Sequence, residues 1–239
     1  MHRLLRALVL PVLLGMSALP AHATIVTVFG SLSDGVNNYN NVVNAAGAIA
    51  SHDKLDSIPP GTSIVRPDYT ITRNGGGFLS PTTYGNLSGQ VIDISPFGST
   101  GVGAIDSGVT LTFSSAVNAI GFEVGDWGTC CQPSTLFISF DDGAPIQVGR
   151  SEVFGDVFFD GLAEVFVGAF DDTSSFSKVQ FWGDGIGEFL VFGGTIHYAL
   201  LDQGSLPPPN DVPEPASLAL LGLGAMGIAG ARRRARRNG

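Results

Sequence analysis

Positive charge is scarce in this sequence and unevenly placed. Charged residues make up 14% of the 239 positions, with 12 Lys and Arg against 21 Asp and Glu and a net charge of −9. Most of the basic residues sit at the two ends: Arg3 and Arg6, then Arg232, Arg233, Arg234, Arg236 and Arg237. Between Thr24 and Val212 five basic residues remain against twenty acidic ones. That leaves a body charge of about −15, which repels phosphate backbones and excludes nucleic acid as a partner. Histidine is rare as well. Of the four, His2 and His22 fall in the N-terminal segment, so the body keeps only His52 and His197. Two histidines so far apart in sequence make a weak case for zinc or a catalytic triad. Neither G-x-S-x-G nor H-E-x-x-H occurs. Gly85-Asn86-Leu87-Ser88-Gly89 places its serine one position late for a nucleophile elbow. With no nucleophile–base pair to name, the reading is that the protein is not an enzyme.

Cysteine is limited to the neighbours Cys130 and Cys131. The pair allows a vicinal disulfide, a bridge to another chain, or a local staple in the loop after Trp127. C-x-x-C spacing is missing, which argues against a redox role. Long apolar runs are also missing from the body and occur only near the termini.

The start of the chain has a basic n-region at Arg3 and Arg6, then a short apolar stretch, then Ala21-His22-Ala23. This is the layout of an export signal whose cleavage site is marked by Ala21 and Ala23. Residues 1–23 are therefore expected to be a signal helix removed by signal peptidase, with the mature chain beginning at Thr24.

The other end starts with three prolines at 207–209, inside a spacer at 206–212 that is semi-rigid and extended. Pro213-Glu214-Pro215 follows, then an uncharged stretch leading to Ala231, then a basic tail at 232–239. A helix over 216–231 would span roughly 24 Å, somewhat short of a hydrocarbon core of about 30 Å. Snorkelling arginines and local thinning close that gap. The arginines hold the tail on the cytoplasmic side and leave the body outside. Gly222, Gly224 and Gly227 spell G-x-G-x-x-G. That fingerprint requires a preceding strand, and here it lies within the apolar stretch after prolines, so no dinucleotide site is inferred.

This tail resembles the PEP-CTERM sorting signal. The resemblance rests on Val212-Pro213-Glu214-Pro215, the Gly/Ala/Leu-rich stretch, and Arg232-Arg233-Arg234. It implies a bacterial protein that passes through the inner membrane and is handled by an exosortase, a membrane protease cutting near the Pro-Glu-Pro. It further implies delivery to the cell surface or extracellular matrix of a polysaccharide-producing, biofilm-forming organism. Pro213, Glu214 and Pro215 would then be a substrate site for another enzyme.

The body, residues 24–205, reads as strands. Val109, Leu111 and Phe113 alternate with Thr110, Thr112 and Ser114. Ile120, Phe122 and Val124 mark a second run; Leu136, Ile138 and Phe140 a third; Val165, Val167 and Ala169 a fourth. Val179 and Phe181, then Ile196, Tyr198 and Leu200, complete the series. With 33 glycines and turn clusters between the runs, the expectation is an all-β, antiparallel β-sandwich or jelly-roll-like body. One helix is expected over Tyr39 to Ile49, with Val42, Val43, Ala46 and Ile49 on one face. His197 alternates against Ile196 and Tyr198 and is expected to point into solvent. The stretches Val117–Asp126 and Gly183–Leu190 resemble exported β domains found ahead of this tail, which implies a lectin-like or matrix-associated sandwich.

Acidic residues crowd the turns. Asp126, Asp184 and Glu188, each beside glycine, are the candidate ligands of a structural Ca²⁺ ion. Against this, Asp is a good turn residue in its own right. Trp127 and Trp182 at strand ends are candidates for packing against sugar rings, with burial in the core as the default. A structural or adhesive role near extracellular polysaccharide is the leading reading; a Ca²⁺-assisted carbohydrate-binding module is the alternative.

Overall fold

The computed structural model describes residues 24–96, 101–127, 133–153, 163–184 and 190–206. Twelve strands are present in these: β1 (Ile25–Phe29), β2 (Ser51–Lys54), β3 (Ser63–Val65), β4 (Tyr69–Arg73), β5 (Val91–Asp93), β6 (Val109–Val117), β7 (Ala119–Gly125), β8 (Ser134–Phe140), β9 (Ile146–Ser151), β10 (Val165–Phe170), β11 (Phe176–Gly183) and β12 (Val191–Ala199). A helix, α1 (Leu32–Ala45), follows β1, and a 3₁₀ helix (Gly101–Ser107) precedes β6. The signal helix and the hydrophobic tail helix expected from the sequence lie outside the described residues.

Two six-stranded antiparallel sheets face each other. The first runs β1-β10-β7-β12-β2, with β5 also paired to β12. The second runs β3-β4-β6-β11-β8-β9. Residues 24–96 supply strands to both sheets, so the irregular first part of the body shares the core of the rest. The alternating positions named from the sequence point inward: Leu111, Phe122, Val124, Ile138, Val167, Val179 and Phe181 lie in one buried cluster. Phe122 of the first sheet meets Phe181 of the second edge-on, with ring centroids 4.7 Å apart, the geometry favoured by the ring quadrupoles.

Strict alternation fails in the first sheet. Every residue of β7 and of β10 is buried. The reason is α1, which lies across the outer face of that sheet and makes a second cluster from Tyr39, Val43, Ala46, Phe166 and Phe170. The helix begins seven residues before the expected Tyr39 and ends four before Ile49. Ser31 caps it, its hydroxyl accepting from the Asp34 amide at 3.4 Å, and Asp34 adds charge to the first turn. Gly35, Tyr39 and Val43 form the inward stripe at four-residue spacing. Gly47, at φ +77°, turns the chain away, so Ile49 is 87% exposed instead of packed. Gly35 sits where helix and sheet come closest; a Cβ there would lie 2.4 Å from Cβ of Phe166.

β12 has a bulge. Gly193 and Gly194 have φ of +151° and +69°, and the register against β7 shifts between Gly193 and His197. The bulge divides the outer edge of β12 into two parts. β5 pairs with Val191–Gly193 and β2 with Thr195–Tyr198. The second part of that edge positions the two histidines of the body.

Candidate functional site

The sorting residues Pro213, Glu214, Pro215, Arg232, Arg233 and Arg234, the cleavage residues Ala21 and Ala23, the pair Cys130 and Cys131, and Glu188 all lie outside the described residues. The other two Ca²⁺ candidates are placed. Asp126 follows β7 in a left-handed conformation, φ +52°. Asp184 follows β11 and is buried. Its carboxylate accepts from the Thr135 amide at 2.5 Å, and its carbonyl accepts from the Ser134 hydroxyl at 2.7 Å. Asp184 therefore fastens β11 to the start of β8.

Other turn carboxylates are occupied in the same way. Asp141 accepts from the amides of Ser177 and Lys178. Asp171 is mostly buried, which opposes its charge. Hydrogen bonds from Ser174, Thr173 and Thr24 outweigh that and hold its carboxyl down at about 2. Among the described residues no group of three or more His, Cys, Asp or Glu is placed to hold a metal ion. Trp127 and Trp182 are both fully buried, so neither offers a ring face to a sugar.

The histidines depart most from the sequence expectation. His197 does point away from Ile196 and Tyr198, but that direction leads under α1 and not into solvent, and the residue is 6% exposed. Its ring packs 5.6 Å from Tyr39 and 5.5 Å from Phe166. Burial, with a smaller effect from the charge of His52 nearby, pushes its pKa down to about 4. His52, distant in sequence, pairs directly with His197 across the β2–β12 ladder. The two rings lie 6.3 Å apart.

Ser88, the near-miss serine of the sequence, donates to a carboxylate. Its hydroxyl donates to Oε1 of Glu123 at 2.5 Å and its amide to Oε2 at 2.7 Å. The hydroxyl also shares a 2.7 Å hydrogen bond with Thr195. Glu123 is 2% exposed and lies against Gly194, where a Cβ would meet its carboxylate at 2.2 Å. Asn86 in the same loop donates through its amide and side chain to Glu164. No imidazole contacts this serine in these hydrogen bonds, so the loop is latched to the sheet by two carboxylates.

The described residues also form concave surfaces. A groove of about 590 Å³ runs between α1 and β1, with Thr27, Phe29, Asn38, Val42, Phe170 and Leu206 among its walls. A smaller pocket of about 260 Å³ opens at the far end of β12, between Ser51, Asp68, Phe113, Ser114, Tyr198 and Leu200. Tyr198 donates its hydroxyl to Asp68 at 2.5 Å, which, after burial, pushes the phenol's pKa up. Beside it, Arg66 forms an ion pair with Asp53, and Tyr69 donates to the same carboxylate at 2.7 Å.

Residues 211–234 match the family model of the PEP-CTERM protein-sorting motif. The chain carries a PEP-CTERM sorting signal. No curated protein matches the chain. Among solved structures, a mutant of a family 29 carbohydrate-binding module is 13% identical with a TM-score of 0.38, covering 68% of this chain and 99% of its own. Another mutant of that module, complexed with mannohexaose, gives the same figures. A further structure, described as a family 29 carbohydrate-binding module, has a TM-score of 0.35 at 13% identity, covering 69% of this chain and 99% of its own. Likeness at this level assigns no ligand to the chain.

Proposed function

We propose that this protein is an exosortase substrate that serves, after export, as a structural or adhesive component of a bacterial cell surface or extracellular matrix. The observation carrying this reading is the sorting motif at 211–234. Three features support it. The chain begins with a signal-type segment ending in Ala21 and Ala23. The body is acidic, which suits an exported protein that must stay soluble. Its turn carboxylates and its one candidate serine are engaged in holding strands and loops together, which fits a non-catalytic scaffold. Exosortase and signal peptidase would act on the chain, with the inner membrane holding the precursor.

The test is intact-mass measurement of the protein recovered from the surface of producing cells. The expected species has lost residues 1–23 and is trimmed close to Pro213-Glu214-Pro215. Untrimmed chain dissolved in the cytosol overturns the reading.

A second reading, a carbohydrate-binding module, is favoured by the pocket at Asp68. A carboxylate, serine hydroxyls and an apolar wall converge there, the mixture that sugar hydroxyls and C–H faces require. Glycan-array binding with and without a chelator tests it. Signal that vanishes in Asp68→Ala supports the pocket. Signal that vanishes with chelator supports a Ca²⁺ ion at Asp126, Asp184 and Glu188.

A further inference from the structure

The pair His52–His197 is the one place among the described residues where the fold brings two imidazoles together, and sequence distance conceals it. The two residues face each other directly in antiparallel register. Directly paired residues of neighbouring strands project to the same side of a sheet, with Cβ atoms about 5 Å apart. On the other flank of His197 the paired residue is Gly121, which has no side chain. The rings of Phe166 and of Tyr39 from α1 fill that side, lying 2.5 and 3.0 Å from where a Cβ of Gly121 would be, and both pack against His197. His197 is 6% exposed, yet neither Nδ1 nor Nε2 has a hydrogen-bond partner. The Tyr39 hydroxyl is also fully buried and without a partner. His197 thus brings two concealed, unsatisfied ring nitrogens to the nest beneath Tyr39 and Phe166. Buried polar groups are normally paired, so such orphans call for a missing partner. His52 is exposed and belongs to the edge strand β2, so it forms the solvent-facing side of the nest.

We infer that His52 and His197 form a binding site for a borderline transition-metal ion such as Zn²⁺ or Cu²⁺. Imidazole suits these ions, while Ca²⁺ and Mg²⁺ demand oxygen ligands that the nest does not supply. Metal–nitrogen bonds of about 2.0–2.1 Å put each ring centroid roughly 3.2 Å from a shared ion. Two rings on one ion are then about 5.2 Å apart at the tetrahedral angle and about 6.4 Å apart only when collinear, so the observed 6.3 Å must shorten by about 1 Å on binding. Because His52 is exposed, it can swing to close the angle. Water completes the shell on its open side, as at sites that keep a free coordination position. Lys54, the next residue of β2 on the same face, is turned into an ion pair with Asp56 at 3.3 Å, which offsets its charge near the ion.

The test is calorimetric titration of the full-length protein with Zn²⁺, and separately Cu²⁺, at pH 7 in a non-coordinating buffer. The expected result is one ion per chain, with affinity at least tenfold weaker in His52→Ala. His52 is exposed, so that variant should melt like the parent when no metal is present. His2 and His22 are replaced by alanine together in a control that should keep the site. A Cu²⁺ electron paramagnetic resonance spectrum should show two coupled nitrogens in the parent and one in His52→Ala. Binding that is unchanged in His52→Ala, or that disappears in the His2/His22 control, means an adventitious ion only and overturns the inference. No binding by the parent protein overturns it equally.

Discussion

Protonating His197 would place a charge beneath α1, among the rings of Tyr39 and Phe166, where water is excluded and neither ring nitrogen has a hydrogen-bond partner. The unfolded chain takes up that proton near 6.5; the folded protein resists until about 4. Across this window the unfolded state binds more protons, so stability falls as pH drops. The contribution is complete above 6.5 and gone below about 4, amounting to about 3 kcal/mol. Urea unfolding at pH 7, 5.5 and 4 should show this loss, and His197→Leu should flatten it. Asp171 acts in a lower window. Its folded pKa is about 2, so its share is complete above about 3.8 and lost only between there and about 2, which keeps the two slopes separable. Ser88 offers a test at neutral pH. Ser88→Ala removes the hydroxyl that donates to the buried Glu123. It should cost about 1–3 kcal/mol and speed proteolytic cleavage near Leu87, since that loop is then held through Asn86 and the Ser88 amide.

The element on which most depends is α1. It turns a sheet with one wet face into a sheet buried on both sides, and it does so through a close approach at Gly35. Gly35→Val would force a side chain into Phe166, where even a Cβ comes within 2.4 Å. The helix must then lift, at a cost on the order of 3 kcal/mol. Hydrogen exchange should show amides of 35–46 opening while those of β8 and β11 stay protected. An exposed helix position gives the opposite sign: Asn37→Ala should stabilise by about 0.5 kcal/mol, because alanine is the better helix former. The helix was legible in the sequence only at its C-terminal half. Val43 and Ala46 marked the stripe, but the run Asn37, Asn38, Asn40 and Asn41 reads as loop, and Gly35 reads as a breaker. In the fold Gly35 is a contact point and the asparagines face outward. That information belongs to the surface of the partner sheet and is absent from local propensity.

At the scale of the whole molecule, the acidic body and the apolar tail are separable in chemistry and joined by a proline spacer. The last described residue, Leu206, is still part of the fold; it is buried and its amide donates to Asp172 at 2.6 Å. A chain ending at Asn210 should therefore keep the body's melting temperature within about 2 °C while losing membrane retention, as judged by fractionation of producing cells. Sequence alone determined the sorting signal, because order, spacing and charge along a linear segment are all that a membrane and a protease need to read. It also determined the antiparallel sandwich, because period-two burial is written into each strand. Tertiary structure alone decided the fate of the polar residues. His52 and His197 became neighbours and Ser88 met Glu123, because each outcome depends on strand register and on which element covers a face. Those are non-local choices, and a side chain's sequence neighbours carry no record of them.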